Sequence, residues 1–242
     1  MKSGPGYRIP SCLFSIGDLE NLHLQNCIIS LPRVFQGFKR LTRLRLNNFS
    51  STDMDMQNLV SFCPALRSLR LTYFEGINHL TVQAPKLKLL YVIGDVEINL
   101  DAPDLEVALL MHHKATAPHS DPIALHKESY VKQLLGSLSD IKSFAISGFL
   151  LRSHSSNTWD QDQARIKDFT VQVQLDHLVT ASVQGFRGLA CEVDFVAKLL
   201  SWAPALEELK IEWKGKTECS MVLAKLLALP RVSPRAKVIV TF

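Results

Sequence analysis

One segment determines how this chain is built: Cys63-Pro64-Ala65-Leu66-Arg67-Ser68-Leu69-Arg70-Leu71. Its core is a proline followed by Leu-x-x-Leu, and it recurs, once in a weaker form, at Pro85, Pro103 and Pro204. In each copy a proline separates the preceding segment from the start of an apolar, strand-like run. Such repetition is typical of a protein that is assembled by stacking similar units.

The repeating unit has the spacing Leu-x-x-Leu-x-Leu. Four consecutive sets keep it: Leu19/Leu22/Leu24, Leu41/Leu44/Leu46, Leu66/Leu69/Leu71 and Leu87/Leu90/Val92. The first leucines of successive sets are 22, 25 and 21 residues apart. This period is typical of leucine-rich repeats, in which each unit contributes one short strand and a return segment.

The spacing therefore predicts an α/β leucine-rich-repeat solenoid. Its parallel strands should line a concave face, and its convex side should be irregular or helical. A helix capped by Asp53 is expected there, with one buried stripe of Met56, Leu59, Val60 and Cys63. Beyond residue 77 the sequence predicts extended backbone on both sides. The apolar residues after the strands, Cys27, Phe49 and Phe74, should fill the turns.

The pattern divides the chain into residues 1–150, the leucine-rich-repeat region, and residues 151–242. The second part is expected to hold a further repeat and a C-terminal α/β cap, continuous with the solenoid. Its predicted elements are strands at Phe169–Leu175 and Leu178–Phe186, a helix at Glu192–Ala203, a strand around Leu209, a helix at Ser220–Leu229 and a strand at Lys237–Phe242. Trp202 should pack in the core, as should its counterpart Phe62, and Trp213 should be half-buried.

Two further segments interrupt the repeats. Met111–His126 and Arg152–Gln163 are polar and are expected to be exposed loops. A helix is predicted between them, at Lys127–Leu138. A strand with the repeat spacing should follow that helix, at Ile141, Phe144 and Ile146.

Composition excludes several classes of protein. The 242 residues are 47% hydrophobic and 21% charged, as in ordinary globular proteins, and the net charge of +4 is not concentrated in a run that favours nucleic acid. No apolar run reaches the roughly 18 residues that a membrane span needs. The five cysteines are dispersed and lack a Cys-x-x-Cys pair. This pattern indicates reduced thiols and a cytoplasmic or nuclear location.

No motif indicates an enzyme or a cofactor. The sequence lacks Gly-x-Ser-x-Gly, His-Glu-x-x-His, a phosphate-binding loop and Gly-x-Gly-x-x-Gly, and Gly185–Gly188 is interpreted as a simple turn. An unrecognised hydrolase remains a remote alternative, because a triad assembled in space leaves no trace in one sequence. Four histidines lack the neighbours typical of zinc sites, so a solvated loop is favoured over a metal site for His112, His113, His119 and His126.

The predicted concave face offers a candidate binding surface. Residues between the buried leucines point away from the core, and neighbouring strands bring six of them together: His23, Arg43, Arg45, Arg70, Leu89 and Tyr91. Arginines beside an aromatic residue suit an acidic or phosphorylated peptide. The alternative is that the arginines merely keep an exposed sheet soluble.

Several phrases resemble the leucine-rich-repeat region of plant F-box proteins: Leu31–Leu44, Cys63–Leu66 and the Ala-Pro-x-Leu turns at Ala84 and Ala102. The ending, Met221–Ser233 followed by Ala236–Ile239, resembles the C-terminal FBD-like module of the same proteins. The resemblance extends from about Leu19 to Phe242.

The resemblance implies a protein–protein interaction module. In that family an N-terminal F-box docks on the adaptor subunit of an SCF-type ubiquitin ligase, and the repeats hold the protein substrate. No segment before Leu19 matches an F-box, so we expect the recognition part alone, with the ligase adaptor as a partner only if an F-box lies upstream. The alternative is a ligase-independent scaffold or decoy. The inner face of the first turn should then be exposed around Leu13, Phe14, Ile16 and Leu19.

Overall fold

The computed structural model describes residues 6–111, 134–138, 140–151, 173–215 and 220–242. The chain divides into two compact units, Met1–Lys114 and Ala115–Phe242. The predicted loops at Met111–His126 and Arg152–Gln163 lie almost entirely outside the described residues, as do the four histidines of the first loop. The division predicted at residue 150 follows the repeat pattern and stays a prediction.

A parallel sheet forms the first unit. Its strands lie in the order β1 (Tyr7–Arg8), β2 (Asn21–Ile28), β3 (Arg43–Ser50), β4 (Ser68–Glu75), β6 (Leu89–Ile93) and β8 (Val107–Met111). A second parallel sheet pairs β5 (His79–Gln83) with β7 (Glu97–Asp101). A 3-10 turn at Ser11–Ser15 and the helix α1 (Asp53–Ser61) complete the unit.

The central leucines of the repeats form one ladder across this sheet. Leu22 is in register with Leu44, Leu44 with Leu69, and Leu69 with Leu90. All four are buried, because alternate side chains of a strand point to the same face. The predicted leucine-rich arrangement of adjacent parallel strands is therefore confirmed in this unit.

A second ladder lies near the ends of three strands. Cys27, Phe49 and Phe74 are in register, and the rings of Phe49 and Phe74 are 5.6 Å apart. The residue before each has a left-handed backbone, at Asn26, Asn48 and Tyr73, with φ between 49° and 56°. Asn48 Nδ2 donates a hydrogen bond to Asn26 Oδ1 at 2.6 Å. The predicted turn-filling residues therefore lie within the strands, each just after a residue with left-handed backbone.

The helix α1 is present where the sequence predicts it, but its cap is different. The hydroxyl of Thr52 accepts a hydrogen bond from the backbone N–H of Asp55 at 3.1 Å, so Thr52 is the N-cap. The prediction that Asp53 is the cap is wrong by one residue. The carboxylate of Asp53 instead accepts a hydrogen bond from the backbone N–H of Asn78 at 2.7 Å. That bond ties the start of α1 to the segment before β5.

An aromatic cluster covers the first turn. The ring of Phe14 lies 5.6 Å from that of Phe35 and 6.2 Å from that of Phe38, and Phe14 is only 7% exposed. The expectation that Phe14 is exposed is therefore wrong, although Ile16 is 46% exposed. Phe62 packs against Phe35 at the margin of this cluster and is 44% exposed, so the core position expected for it is also wrong.

The described part of the second unit contains four parallel strands, in the order β9 (Ser143–Ser147), β10 (Thr180–Phe186), β11 (Glu208–Trp213) and β12 (Lys237–Thr241). Its helices with described bounds are α2 (Gly148–Leu151), α3 (Ala190–Trp202) and α4 (Ser220–Ala228). Apolar residues of the strands again align, and the pairs of Phe144 with Ala181 and of Ala181 with Leu209 carry the repeat pattern.

Three predictions for this unit need correction. Residues 173–175 form no strand although Val173 and Leu175 are buried, while the rest of the strand predicted at Phe169–Leu175 lies outside the described residues. Trp213 is only 6% exposed, and its Nε1 donates a hydrogen bond to the carbonyl of Gly215 at 3.0 Å. It is therefore buried more deeply than predicted. Trp202 is half-buried, so it packs less deeply than the core position expected for it.

Candidate protein-binding face

Three rows of side chains cross the first unit's main sheet on the face opposite the leucine ladder. We call this surface the outward face. Its rows are Asn21–Arg43–Ser68–Leu89–Val107, His23–Arg45–Arg70–Tyr91–Leu109 and Gln25–Asn47–Thr72–Ile93–Met111. Each row follows from the strand register, because residues paired across parallel strands lie side by side.

The structure brings the six predicted site residues together. His23, Arg45, Arg70 and Tyr91 are consecutive members of the middle row. The other two, Arg43 and Leu89, belong to the row beside it. The predicted cluster is thus a continuous surface, and its role in binding stays a prediction.

The outward face has a cationic end and an apolar end. Its cationic residues, Arg43, Arg45 and Arg70, lie on β3 and β4 beside His23 on β2, and no aspartate or glutamate occupies any position of the three rows. Two carboxylates that precede strands of the face are held by other cations. Glu20 lies 2.6 Å from Arg40, and Glu106 lies 2.6 Å from Lys88. The positive charge of the face is therefore not offset within it.

The three arginines differ in what they contact. Arg43 Nη1 donates a hydrogen bond to Asn21 Oδ1 at 3.3 Å. Arg45 is exposed, and its side chain makes no hydrogen bond or ion pair with the described residues. Arg70 is half-buried, and its Cζ lies 5.5 Å from the centre of the Tyr91 ring, within the range of a cation–π contact.

Arg70 carries an unsatisfied donor. Its Nε is enclosed and has no hydrogen-bond partner, which makes it the one buried side-chain nitrogen or oxygen in this state among the described residues. Such a group costs about 1–3 kcal/mol when it stays unpaired. The guanidinium is thus held in place against Tyr91 at a cost in stability, in the middle of the candidate face.

The apolar end is larger than the sequence predicts. Half-buried Val107 and Leu109 on β8 are in register with Leu89 and Tyr91 on β6, and they extend the apolar strip by one strand. Neither residue belongs to the predicted cluster, because Ala108 replaces a leucine in this weak repeat and hides its alternation. If the alternation of inward and outward strand positions is continued through the repeat that begins at Pro103, it places both residues on the outward face.

The glycine-containing turn of the second unit cannot bind a phosphate. The carboxylate of Glu192, which is fully buried, accepts hydrogen bonds from the backbone N–H groups of Arg187 at 2.8 Å and Leu189 at 3.1 Å. A carboxylate therefore occupies the position that an anion would take. Gly185 lies within β10, where the register with β11 shifts, and has a φ of 65°, while Gly188 has a φ of 79° in the connection to α3. The segment predicted as a simple turn is therefore the irregular end of a strand followed by a short connection.

A histidine on the second sheet links two carboxylates. His79 Nδ1 lies 3.4 Å from Asp53 Oδ2, and its Nε2 lies 3.3 Å from Glu97 Oε2. Burial acts to raise the pKa of Asp53, but hydrogen bonds from the backbone of Asn78 and His79, with the side chain of His79, outweigh it and lower that pKa. The two carboxylates contact opposite sides of the ring and cannot converge on one ion. In the described ranges, no His, Cys, Asp and Glu side chains form a group that could hold a metal.

Buried cysteines belong to the core of the first unit. Burial raises the pKa of the Cys63 thiol to about 11, although a backbone hydrogen bond from Phe38 and the charge of Lys39 oppose the shift. Burial also raises the pKa of Cys27. Both thiols are therefore poor nucleophiles near neutral pH. No helix within the described parts of the chain is long and apolar enough to cross a membrane.

Comparison with known proteins agrees with the repeat pattern. Residues 2–211 match a family described as "FBD-associated F-box protein At5g56370, LRR repeats". The F-box/FBD/LRR-repeat protein At1g13570 of Arabidopsis thaliana is 26% identical over 298 aligned residues, which span 99% of this chain and 71% of that protein. The similarity thus includes both compact units.

Proposed function

Because this chain belongs to the leucine-rich-repeat family of plant FBD-associated F-box proteins, we propose that it recognises a protein substrate for an SCF-type ubiquitin ligase. The outward face of the first unit is the proposed contact surface. One observation carries the proposal: His23, Arg45 and Arg70 lie in one row beside apolar side chains, with no carboxylate in the face. The chain acts by binding and not by catalysis, in the cytoplasm or nucleus.

The surface has the composition that protein interfaces favour. Arginine and tyrosine are enriched among the residues that dominate binding energy, and they act best beside apolar groups that exclude water. Arg70 and Tyr91 already contact each other. A partner that covers the face would exclude water from around these side chains. The lower local dielectric constant would strengthen the charge interactions of the arginines.

The repeats of each unit are proposed to follow a solenoid path. We propose that α4 and β12 serve as the C-terminal cap. Leu226 of α4 is fully buried, and β12 pairs with β11 through Val238 and Leu209, which supports a covering role.

Affinity purification from plant cells tests the function. The tagged full chain is compared with the variant Arg43→Ala/Arg45→Ala/Arg70→Ala. A control of equal charge carries alanine at three arginines outside the three rows, namely Arg8, Arg33 and Arg235. We expect the first variant to lose specific partners at least tenfold and the control to retain them. Equal recovery of partners by all three proteins would refute the proposed surface.

Proteasome inhibition separates the ligase from the scaffold interpretation. A ubiquitination substrate should accumulate when the proteasome is blocked, and its ubiquitination should fall when the chain is depleted. A partner that is bound by the outward face but shows neither effect would support the ligase-independent scaffold or decoy.

A further inference from the structure

We propose that the partner presents an extended segment in which several aspartates or glutamates are followed, two or three residues later, by a large apolar side chain. This inference rests on the proposed function and adds the chemistry of the partner. The carboxylates would lie over His23, Arg45 and Arg70, and the apolar side chain would lie over Tyr91 and Leu109.

The arrangement of cations favours carboxylates over a single phosphate. Arg45 and Arg70 lie on neighbouring strands about 4.8 Å apart, and His23 lies on the next strand, so these three side chains form a line about 10 Å long. A phosphate concentrates its charge at one point. A run of acidic residues distributes single charges along its length, which matches two separate guanidinium groups and an imidazole donor placed side by side.

The two central arginines would gain from an anion between them. Arg45 and Arg70 are direct register partners, and like charges in that position repel. An acidic segment would replace this repulsion with two charge-assisted contacts. Arg70 is already held against Tyr91, so it loses little conformational freedom when it binds.

The distance between the two ends sets the spacing in the partner. One strand separates Arg70 from Tyr91, and two separate it from Leu109, which gives about 5 to 10 Å. An extended chain rises about 3.3 Å per residue, so a segment that runs across the strands covers this distance in two or three residues. The apolar side chain should therefore follow the last acid closely and in a fixed direction.

Selection from a display library of random 12-residue peptides tests the inference. The bait is the purified full chain, and the Arg45→Gln/Arg70→Gln variant, checked for native unfolding in urea, removes peptides that do not need the arginines. We expect the retained peptides to share an acidic run and an apolar residue in the stated order. Retained peptides without acids, or no peptide that depends on the arginines, would overturn the proposal.

Synthetic versions of the best peptide then define the anion. Replacing its acids by Asn or Gln should weaken binding at least tenfold, and 0.5 M salt should weaken binding of the original peptide. The Arg33→Gln variant should bind like the native chain. Tighter binding of a version with one phosphoserine in place of the acids would overturn the choice of carboxylates. If the triple Arg→Ala variant lost its natural partners while peptide binding did not depend on acidic residues, that pair of results would support the proposed function and overturn only the present inference.

Discussion

Arg45 and Arg70 lie directly opposite each other on neighbouring parallel strands, and neither pairs with a carboxylate among the described residues. Like charges in this position destabilise a sheet by about 0.2–1 kcal/mol. In the proposed function, an anionic partner would convert this repulsion into attraction.

Removing one of these charges should stabilise the free protein. We expect Arg45→Gln to raise the free energy of unfolding by about 0.2–1 kcal/mol at low salt, because the repulsion across the strand pair is lost. The gain should shrink in 0.5 M salt. Urea unfolding measures both, with Arg33→Gln as the exposed control away from the sheet. A loss of stability in Arg45→Gln would show that the guanidinium makes a contact that holds the fold together.

Two adjacent leucines should differ in their effect on stability. Leu90 is fully buried in the ladder, whereas Leu89 is half-buried on the outward face. We expect Leu90→Ala to cost about 2–5 kcal/mol, because it removes core contacts and leaves a cavity. Leu89→Ala should cost clearly less. Equal losses in denaturant unfolding would mean that the outward face is packed as tightly as the core.

Native thiols should react very unequally. With its pKa near 11, Cys63 has about one thiolate per thousand molecules at pH 8, and burial restricts access to both Cys63 and Cys27. Cys12 is exposed. Brief treatment with iodoacetamide followed by peptide mass spectrometry should show modification of Cys12 and protection of the other two. Rapid labelling of Cys63 in the native chain would contradict its place in the core.

The contacts of Asp53 predict how the stability of the folded protein depends on pH. Its pKa in the folded protein lies below the ordinary 3.8, so the carboxylate stabilises the fold above that pH and loses this effect as the pH falls through the lower value. We expect Asp53→Asn to be less stable than the native chain between about pH 5 and 7, and the difference to shrink below about pH 4. Thermal unfolding across this range measures it. If the stability difference between the native chain and Asp53→Asn grew at low pH, the lowered pKa of Asp53 would be contradicted.

The sequence predicts the ladder well because burial in a repeat follows a simple alternation. Leu44 and Leu69 could be placed in register from spacing alone, and with them the six residues of the candidate face. The detailed chemistry of the outward face is harder to predict from the sequence. The enclosed Nε of Arg70 depends on the exact approach of Tyr91, and the contribution of Leu109 is hidden by the degenerate repeat around Ala108.

The predictions from sequence are wrong mainly in segments that no repeat pattern constrains. Phe14 is buried because Phe35 and Phe38 fold back over it from an irregular connection, and no periodic pattern predicts that contact. At α1 the sequence predicts Asp53 as the cap, but its neighbour Thr52 takes that role, and the carboxylate of Asp53 instead accepts a hydrogen bond from Asn78, 25 residues away. Tertiary contacts decide both cases.

Site-specific photo-crosslinking tests the central claim, that the outward face contacts the partner. A photoreactive benzoylphenylalanine replaces Tyr91 on that face in one version of the full chain, and Asn99, exposed on the second sheet, in another. Irradiation in plant cells should join the partner identified by affinity purification to position 91 and leave position 99 without a product. A partner that crosslinks from position 99 and not from position 91 would contradict the account.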